Sequence, residues 1–232
     1  LQKEYDISFS DEELTKKNAD QYTNSEIIST FIYSDLSSDI LSKFPDLKLI
    51  CTRSTGYDHI DLDYCKENDI TVCNVPSYGD HTVAEHVFGL LLMISHKLYD
   101  AVDRVNKGDF SLKGLRGFDL RGKTIGIVGT GAIGIHAVKI AKGFDMEVQA
   151  FDINPDEKAA DDIGFRYVSF EELLKSSDII SLHVPLTSKT KHMLSEKEFD
   201  MMKDDVIIIN TARGSLIDTN PFLKALSTGK VK

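Results

Sequence analysis

Residues 124–134 read Thr-Ile-Gly-Ile-Val-Gly-Thr-Gly-Ala-Ile-Gly, an apolar strand run that passes into Gly-x-Gly-x-x-Gly. A helical run over 135–143 follows, then a second apolar strand over 148–151 that ends in Asp152, 18 positions beyond Gly134. The three glycines serve different physical ends. Gly129 permits a tight turn, Gly131 lets a pyrophosphate approach the backbone, and Gly134 lets helix and strand pack closely. The positive end of the helix then faces the phosphates. A glycine hexapeptide alone is weak evidence, and a plain strand-turn-helix without nucleotide is the competing reading. The flanking strand, the helix and an acidic residue at ribose distance together favour a dinucleotide site. Such a unit requires a parallel α/β sheet around it.

The rest of the sequence supplies that sheet. Strands are expected over 26–33, 47–52 and 70–74, with helices over 37–44 and 62–67 between them, and a second alternating set follows with strands near 124–129, 148–152, 165–168, 178–184 and 206–211. Between the sets, Val83, Val87, Leu90, Leu91, Ile94, Leu98 and Val102 keep helical spacing, which predicts one long interdomain helix over 82–107, followed by a polar linker over 107–123. Two domains are expected, 1–80 and 81–232, the second binding the dinucleotide. The sequence opens without an initiator Met or a convincing first strand, so the chain is expected to be incomplete there.

Composition narrows the partners. A net charge of -10 with scattered lysines and arginines gives no basic stripe for a phosphate backbone, so nucleic acid is not expected. The longest apolar run, over 87–94, is too short for a membrane span. Three cysteines suit a reducing cytoplasm better than a disulfide framework.

Asp152 can accept hydrogen bonds from an adenine ribose and would repel a 2'-phosphate, and no Arg or Lys lies among residues 153–157 to hold that phosphate. NAD is therefore expected over NADP; a strand-end turn is the alternative for Asp152. Arg213 follows the apolar strand of 206–211 among small residues, where its planar fork could grip a carboxylate, or else cap the next helix through a salt bridge. His81 and Glu85 stand four apart without a third metal ligand, so no metal site is expected.

Taken together, Arg53-Ser-Thr-Gly-Tyr-Asp-His-Ile-Asp61, Asn74-Val-Pro76, Thr82-Val-Ala-Glu-His86, the glycine fingerprint, His183-Val-Pro-Leu-Thr187 and Asn210-Thr-Ala-Arg-Gly214 occur in order across about residues 45–220. This pattern resembles the D-isomer-specific 2-hydroxyacid dehydrogenases, and Tyr78 looks like the substrate-side tyrosine of their D-lactate dehydrogenase-like branch. The resemblance implies a Rossmann NAD-binding domain, a flavodoxin-like substrate domain and a homodimer. It also implies hydride exchange between a 2-keto acid and a D-2-hydroxy acid, with pyruvate and D-lactate first. Glyoxylate, hydroxypyruvate or a phosphoglycerate-type substrate is the alternative, as is a NAD-sensing corepressor-like module without turnover. By the same resemblance Arg213 binds the substrate carboxylate and polarises the keto oxygen, while amides around Thr55 and Gly56 also hold the carboxylate. Gly129, Gly131, Ala132, Ile133, Gly134, Asp152, Val184, Pro185, Thr190, Thr211 and Ala212 would line the NAD site. The family's acid/base histidine and its glutamate lie well downstream of the arginine; the sequence ends 19 residues after Arg213, so both are expected beyond it. His183 is expected to have a hydrogen-bonded structural role and not to replace that acid.

Overall fold

The structure, a computed structural model, describes residues 6–232; the opening residues 1–5, where a first strand is not expected, lie outside it. Two compact units part between Tyr78 and Gly79.

The first unit contains β1 (Ile27–Thr30), α1 (Ser38–Leu41), β2 (Leu49–Thr52), α2 (Leu62–Glu67) and β3 (Thr71–Cys73). Its three strands are parallel and lie in sequential order. Ile28 and Ile50 point from the sheet into a core shared with Ile40, Leu41 and Phe44 from the α1 region and Cys65 from α2. Asp61 starts α2 by accepting from the Tyr64 amide at 3.0 Å, which satisfies one of the helix's orphan donors.

The second unit opens with α3 (Asp80–Ser95) and α4 (Leu98–Asn106), then β4 (Thr124–Val128), α5 (Ala132–Gly143), β5 (Glu147–Phe151), α6 (Glu157–Ile163), β6 (Arg166–Tyr167), α7 (Phe170–Ser176), β7 (Ile179–Leu182), α8 (Glu196–Met201), β8 (Ile207–Asn210) and α9 (Thr219–Ser227). All five strands are parallel in the order β6-β5-β4-β7-β8. The chain therefore winds outward from β4 in one direction and then from β7 in the other, which is the Rossmann arrangement. Apolar side chains cover both faces. Ile125 and Ile127 meet Ala137, Val138 and Ala141 of α5 and Val87, Phe88 and Leu91 of α3, whereas Val128 and Leu182 meet Leu173, Leu174 and Phe199. Gly126 is required by that second layer, because a Cβ there would stand 2.4 Å from Ser177 Oγ and 2.6 Å from Leu173 Cδ2.

One expected element is corrected. The single helix predicted over 82–107 is two, broken where Lys97 takes a left-handed conformation at φ 51. The linker causes the break: the Phe118 amide takes the Ser95 carbonyl at 2.9 Å, and Gly117 packs so closely that a Cβ would lie 1.9 Å from that oxygen. The helical periodicity continues on both sides, but only α3 buries its apolar face. In α4, Leu98, Tyr99, Val102 and Val105 are all exposed, Tyr99 by 70% and Val102 by 60%. Strand ends also fall short of the sequence reading, so Asp152, His183 and Thr211 lie just past their strands. No helix among the described residues is long and apolar enough to cross a membrane.

Candidate active site

The switch point of the five-stranded sheet lies between β4 and β7, and the turns leaving these two strands touch. A Cβ on Gly129, whose φ is +94, would meet the His183 carbonyl oxygen and Val184 Cγ1, each at 2.9 Å. Only glycine fits there without moving the neighbouring turn. The chain then enters α5, whose N-cap residue Gly131 provides no side-chain cap, so the amide donors of Ala132, Ile133 and Gly134 open the helix. A Cβ on Gly131 would meet nothing within 4 Å. An uncapped, positively polarised helix end with open space above its glycine fits the pyrophosphate of a dinucleotide.

Asp152 stands one residue beyond β5, beside this turn. Its Oδ2 accepts from the Thr130 amide at 2.7 Å and from Thr130 Oγ1 at 3.1 Å, and its Oδ1 accepts from the Asn154 amide at 2.9 Å. The turn-forming alternative is therefore built in together with the carboxylate's position at the cofactor turn. Burial pushes the carboxyl upward, but the bonds from Asn154 and Thr130 outweigh it and hold Asp152 below the usual carboxylate range. A fixed anion at this point suits a ribose diol and opposes a 2'-phosphate. Its neighbour Ile153 is 84% exposed beside this turn, a feature that the sequence alone does not report.

The turn after β7 is shaped by its own hydroxyls. Thr190 Oγ1 donates to the Pro185 carbonyl at 2.6 Å and receives the Thr187 amide at 2.8 Å, closing the loop that presents Val184 and Pro185. His183 Nε2 lies 2.9 Å from Ser181 Oγ. Burial lowers its pKa to about 4, so at neutral pH the ring is uncharged and is a poor general acid.

After β8, Asn210 ties the next turn together. Its Oδ1 accepts from the Ala212 amide at 3.0 Å and its Nδ2 donates to the Arg213 carbonyl at 3.0 Å, with Thr211 enclosed between them. Arg213 Nη1 also donates to the Ala212 carbonyl at 3.2 Å. The arginine is half-buried.

In the first unit the segment after β2 is bonded to the exit of β3. The Ser54 carbonyl accepts from the Val75 amide at 3.1 Å, and the Thr55 carbonyl accepts from Asn74 Nδ2 at 2.9 Å. Peptide planes here are trans. In a trans plane the N–H points opposite to the preceding C=O, so the Thr55 and Gly56 amides both aim away from β3. Two amide donors aimed to the same side are the kind of arrangement an anion can accept from. Tyr78, at the end of this unit, is exposed.

The model of the NAD-binding domain of D-isomer specific 2-hydroxyacid dehydrogenases matches residues 88–232. The chain belongs to this family. The enzyme is 39% identical over 229 residues to the D-lactate dehydrogenase of Escherichia coli (strain K12), covering 98% of this chain and 69% of that protein. It is also 39% identical over 211 residues to the glyoxylate reductase of Thermococcus litoralis, covering 88% of this chain and 64% of that protein. The crystal structure of D-lactate dehydrogenase from Aquifex aeolicus, complexed with NAD and lactic acid, matches with a TM-score of 0.93 at 41% identity, covering 99% of this chain and 69% of that one. This dehydrogenase therefore uses NAD and interconverts 2-keto and D-2-hydroxy acids.

Proposed function

We propose that the enzyme's principal substrate pair is pyruvate and D-lactate. The observation that carries this reading is the Asn210-braced turn that presents Arg213, taken with the likeness to a D-lactate dehydrogenase complexed with NAD and lactic acid. Arg213 grips the substrate carboxylate through its planar fork and polarises the keto oxygen. The Thr55 and Gly56 amides add neutral donors to the carboxylate, and Tyr78 contacts the substrate side chain. Bound NADH supplies the hydride. Ala132, Ile133 and Gly134 hold its pyrophosphate and Asp152 its adenine ribose, while Val184, Pro185, Thr190, Thr211 and Ala212 line the cofactor along the ends of β7 and β8. Ile153 offers an apolar surface to the adenine ring.

Glyoxylate is the second reading, favoured by the 39% identity to the Thermococcus reductase. A panel of pyruvate, glyoxylate, hydroxypyruvate and longer 2-keto acids, assayed with NADH on the natural enzyme, separates the two. Pyruvate should give the highest kcat/KM, and a higher value for glyoxylate would overturn the first reading.

We assign the working form as a homodimer joined through the second unit, because the apolar side of α4 is uncovered in the single chain. A reducing, cytoplasmic setting is supported by Cys51 and Cys73, free thiols in register on adjacent strands.

A further inference from the structure

Asp152 is the end of a hydrogen-bond chain in which every donor can be assigned. The Asp156 amide can only donate, and it lies 3.2 Å from the Tyr167 hydroxyl. That hydroxyl is 2.8 Å from Thr130 Oγ1, which in turn is 3.1 Å from Asp152 Oδ2. An ionised carboxylate accepts only, so the single Thr130 proton goes to Asp152. Tyr167 must then donate to Thr130. The direction is fixed throughout, from Asp156 N–H through Tyr167 and Thr130 to Asp152.

The chain joins three segments that the sequence separates: the turn after β4, the turn after β5 and strand β6. Tyr167 is held from behind by Phe165, ring edge against face with centroids 5.2 Å apart. Asp156 is held as well, because its Oδ1 accepts the Ala159 amide at 3.0 Å and caps α6. The donor side of the relay, Asp156 and Tyr167, is thus held in place.

We propose that Tyr167, acting through Thr130, is a positioning residue that sets the enzyme's discrimination between NADH and NADPH. A surface carboxylate free to change rotamer could turn away from a 2'-phosphate and admit it. With Tyr167 in place, the Thr130 hydroxyl is committed to Asp152 and adds a third donor to the Thr130 and Asn154 amides that hold the anion. Without the phenol, the Thr130 hydroxyl is free to rotate, and the carboxylate is left to its backbone amide donors. Tyr167 has this effect through Thr130 and not by reaching the ribose itself.

The decisive experiment is fluorescence titration of NADH and NADPH into wild type, Tyr167→Phe, Thr130→Val, Thr130→Ser and the Tyr167→Phe/Thr130→Val double variant, with thermal melts of each. Tyr167→Phe and Thr130→Val should each weaken NADH by about three- to ten-fold, the net scale of one lost protein hydrogen bond, and narrow the gap to NADPH. Thr130→Ser should restore the wild-type ratio, and the double variant should be no worse than Thr130→Val, since Thr130 is the link from Tyr167 to Asp152. A Tyr167→Phe variant with lowered melting temperature but an unchanged NADH to NADPH ratio would overturn the proposal, as would losses that multiply in the double variant. Equal affinity of wild type for the two cofactors would instead defeat the role of Asp152 itself.

Discussion

A methyl group on Gly134 would stand 2.0 Å from the carbonyl oxygen of Gly129, while one on Gly131, three residues earlier, would meet nothing within 4 Å. The two glycines of one motif thus answer to different demands. Gly134 is required by the fold, since α5 crosses the end of β4 too closely for any side chain. Gly131 has an ordinary φ of -61, so the protein alone leaves room for alanine there.

From this contrast, Gly131→Ala should melt within a degree or two of wild type yet lose NADH affinity by about ten-fold or more, because the methyl group occupies the pyrophosphate's approach. Gly134→Ala should be destabilised by about 1–3 kcal/mol through overpacking against backbone that cannot yield. Melts and NADH titrations of both variants check this. If Gly131→Ala binds NADH normally, the open space above α5 is not the phosphate site.

Arg213→Lys keeps the charge but loses the bidentate fork. Catalytic efficiency with pyruvate should fall by about 100-fold or more while NADH affinity stays near wild type, since the arginine is assigned to the substrate and not to the cofactor. Steady-state kinetics alongside NADH titration measure the two effects separately. A lysine variant with wild-type kcat/KM would remove Arg213 from its assigned role.

The sequence motifs located the strand-end turns, because a glycine fingerprint and a polar cluster after an apolar strand are local signals. What they missed depends on distant partners. Thr130 reaches Asp152 across 22 positions and Tyr167 across 37, and no periodicity reports a bond of that length. Asn210 was visible only as part of a motif; its two bonds to the turn show why an amide stands there. The break between α3 and α4 was hidden for the same reason: its cause, the Phe118 amide on the Ser95 carbonyl, comes from a stretch that reads as a polar linker. Helical spacing reported an amphipathic face on α4 but could not tell whether the chain itself covers it.

That uncovered face leads to a prediction about assembly. Val102 lies mid-helix between Leu98 and Val105, and all three side chains are exposed. Val102→Glu places a charge in the middle of the apolar stripe, so a homodimer formed there should weaken strongly, because an unpaired buried charge is costly. Sedimentation at several concentrations should show a dimer for wild type and a monomer for the variant, with the NADH affinity of the separated chains measured alongside. A variant as fully dimeric as wild type would place the interface elsewhere.

His183 makes stability depend on pH in a definite window. In the unfolded chain its imidazole takes up a proton near its ordinary value of 6.5, whereas in the folded protein burial delays that uptake to about 4. Between these values the unfolded state holds more protons, so stability falls as pH drops from 6.5 toward 4; above 6.5 both states are neutral and His183 contributes no slope. Burial, and not the contact with Ser181, sets the direction of the shift. By pH 4.5 the loss attributable to this residue should be about 2 kcal/mol, reduced somewhat from the full shift because the ring is not wholly enclosed. Urea unfolding at pH 7 and pH 4.5 isolates it when wild type is compared with His183→Gln, which keeps a polar partner for Ser181 and cannot titrate. The carboxylates contribute equally to both proteins and cancel in the difference. If wild type and variant lose the same stability on acidification, the ring is not held neutral in the folded protein, and its exclusion as the proton donor to the keto acid fails with it.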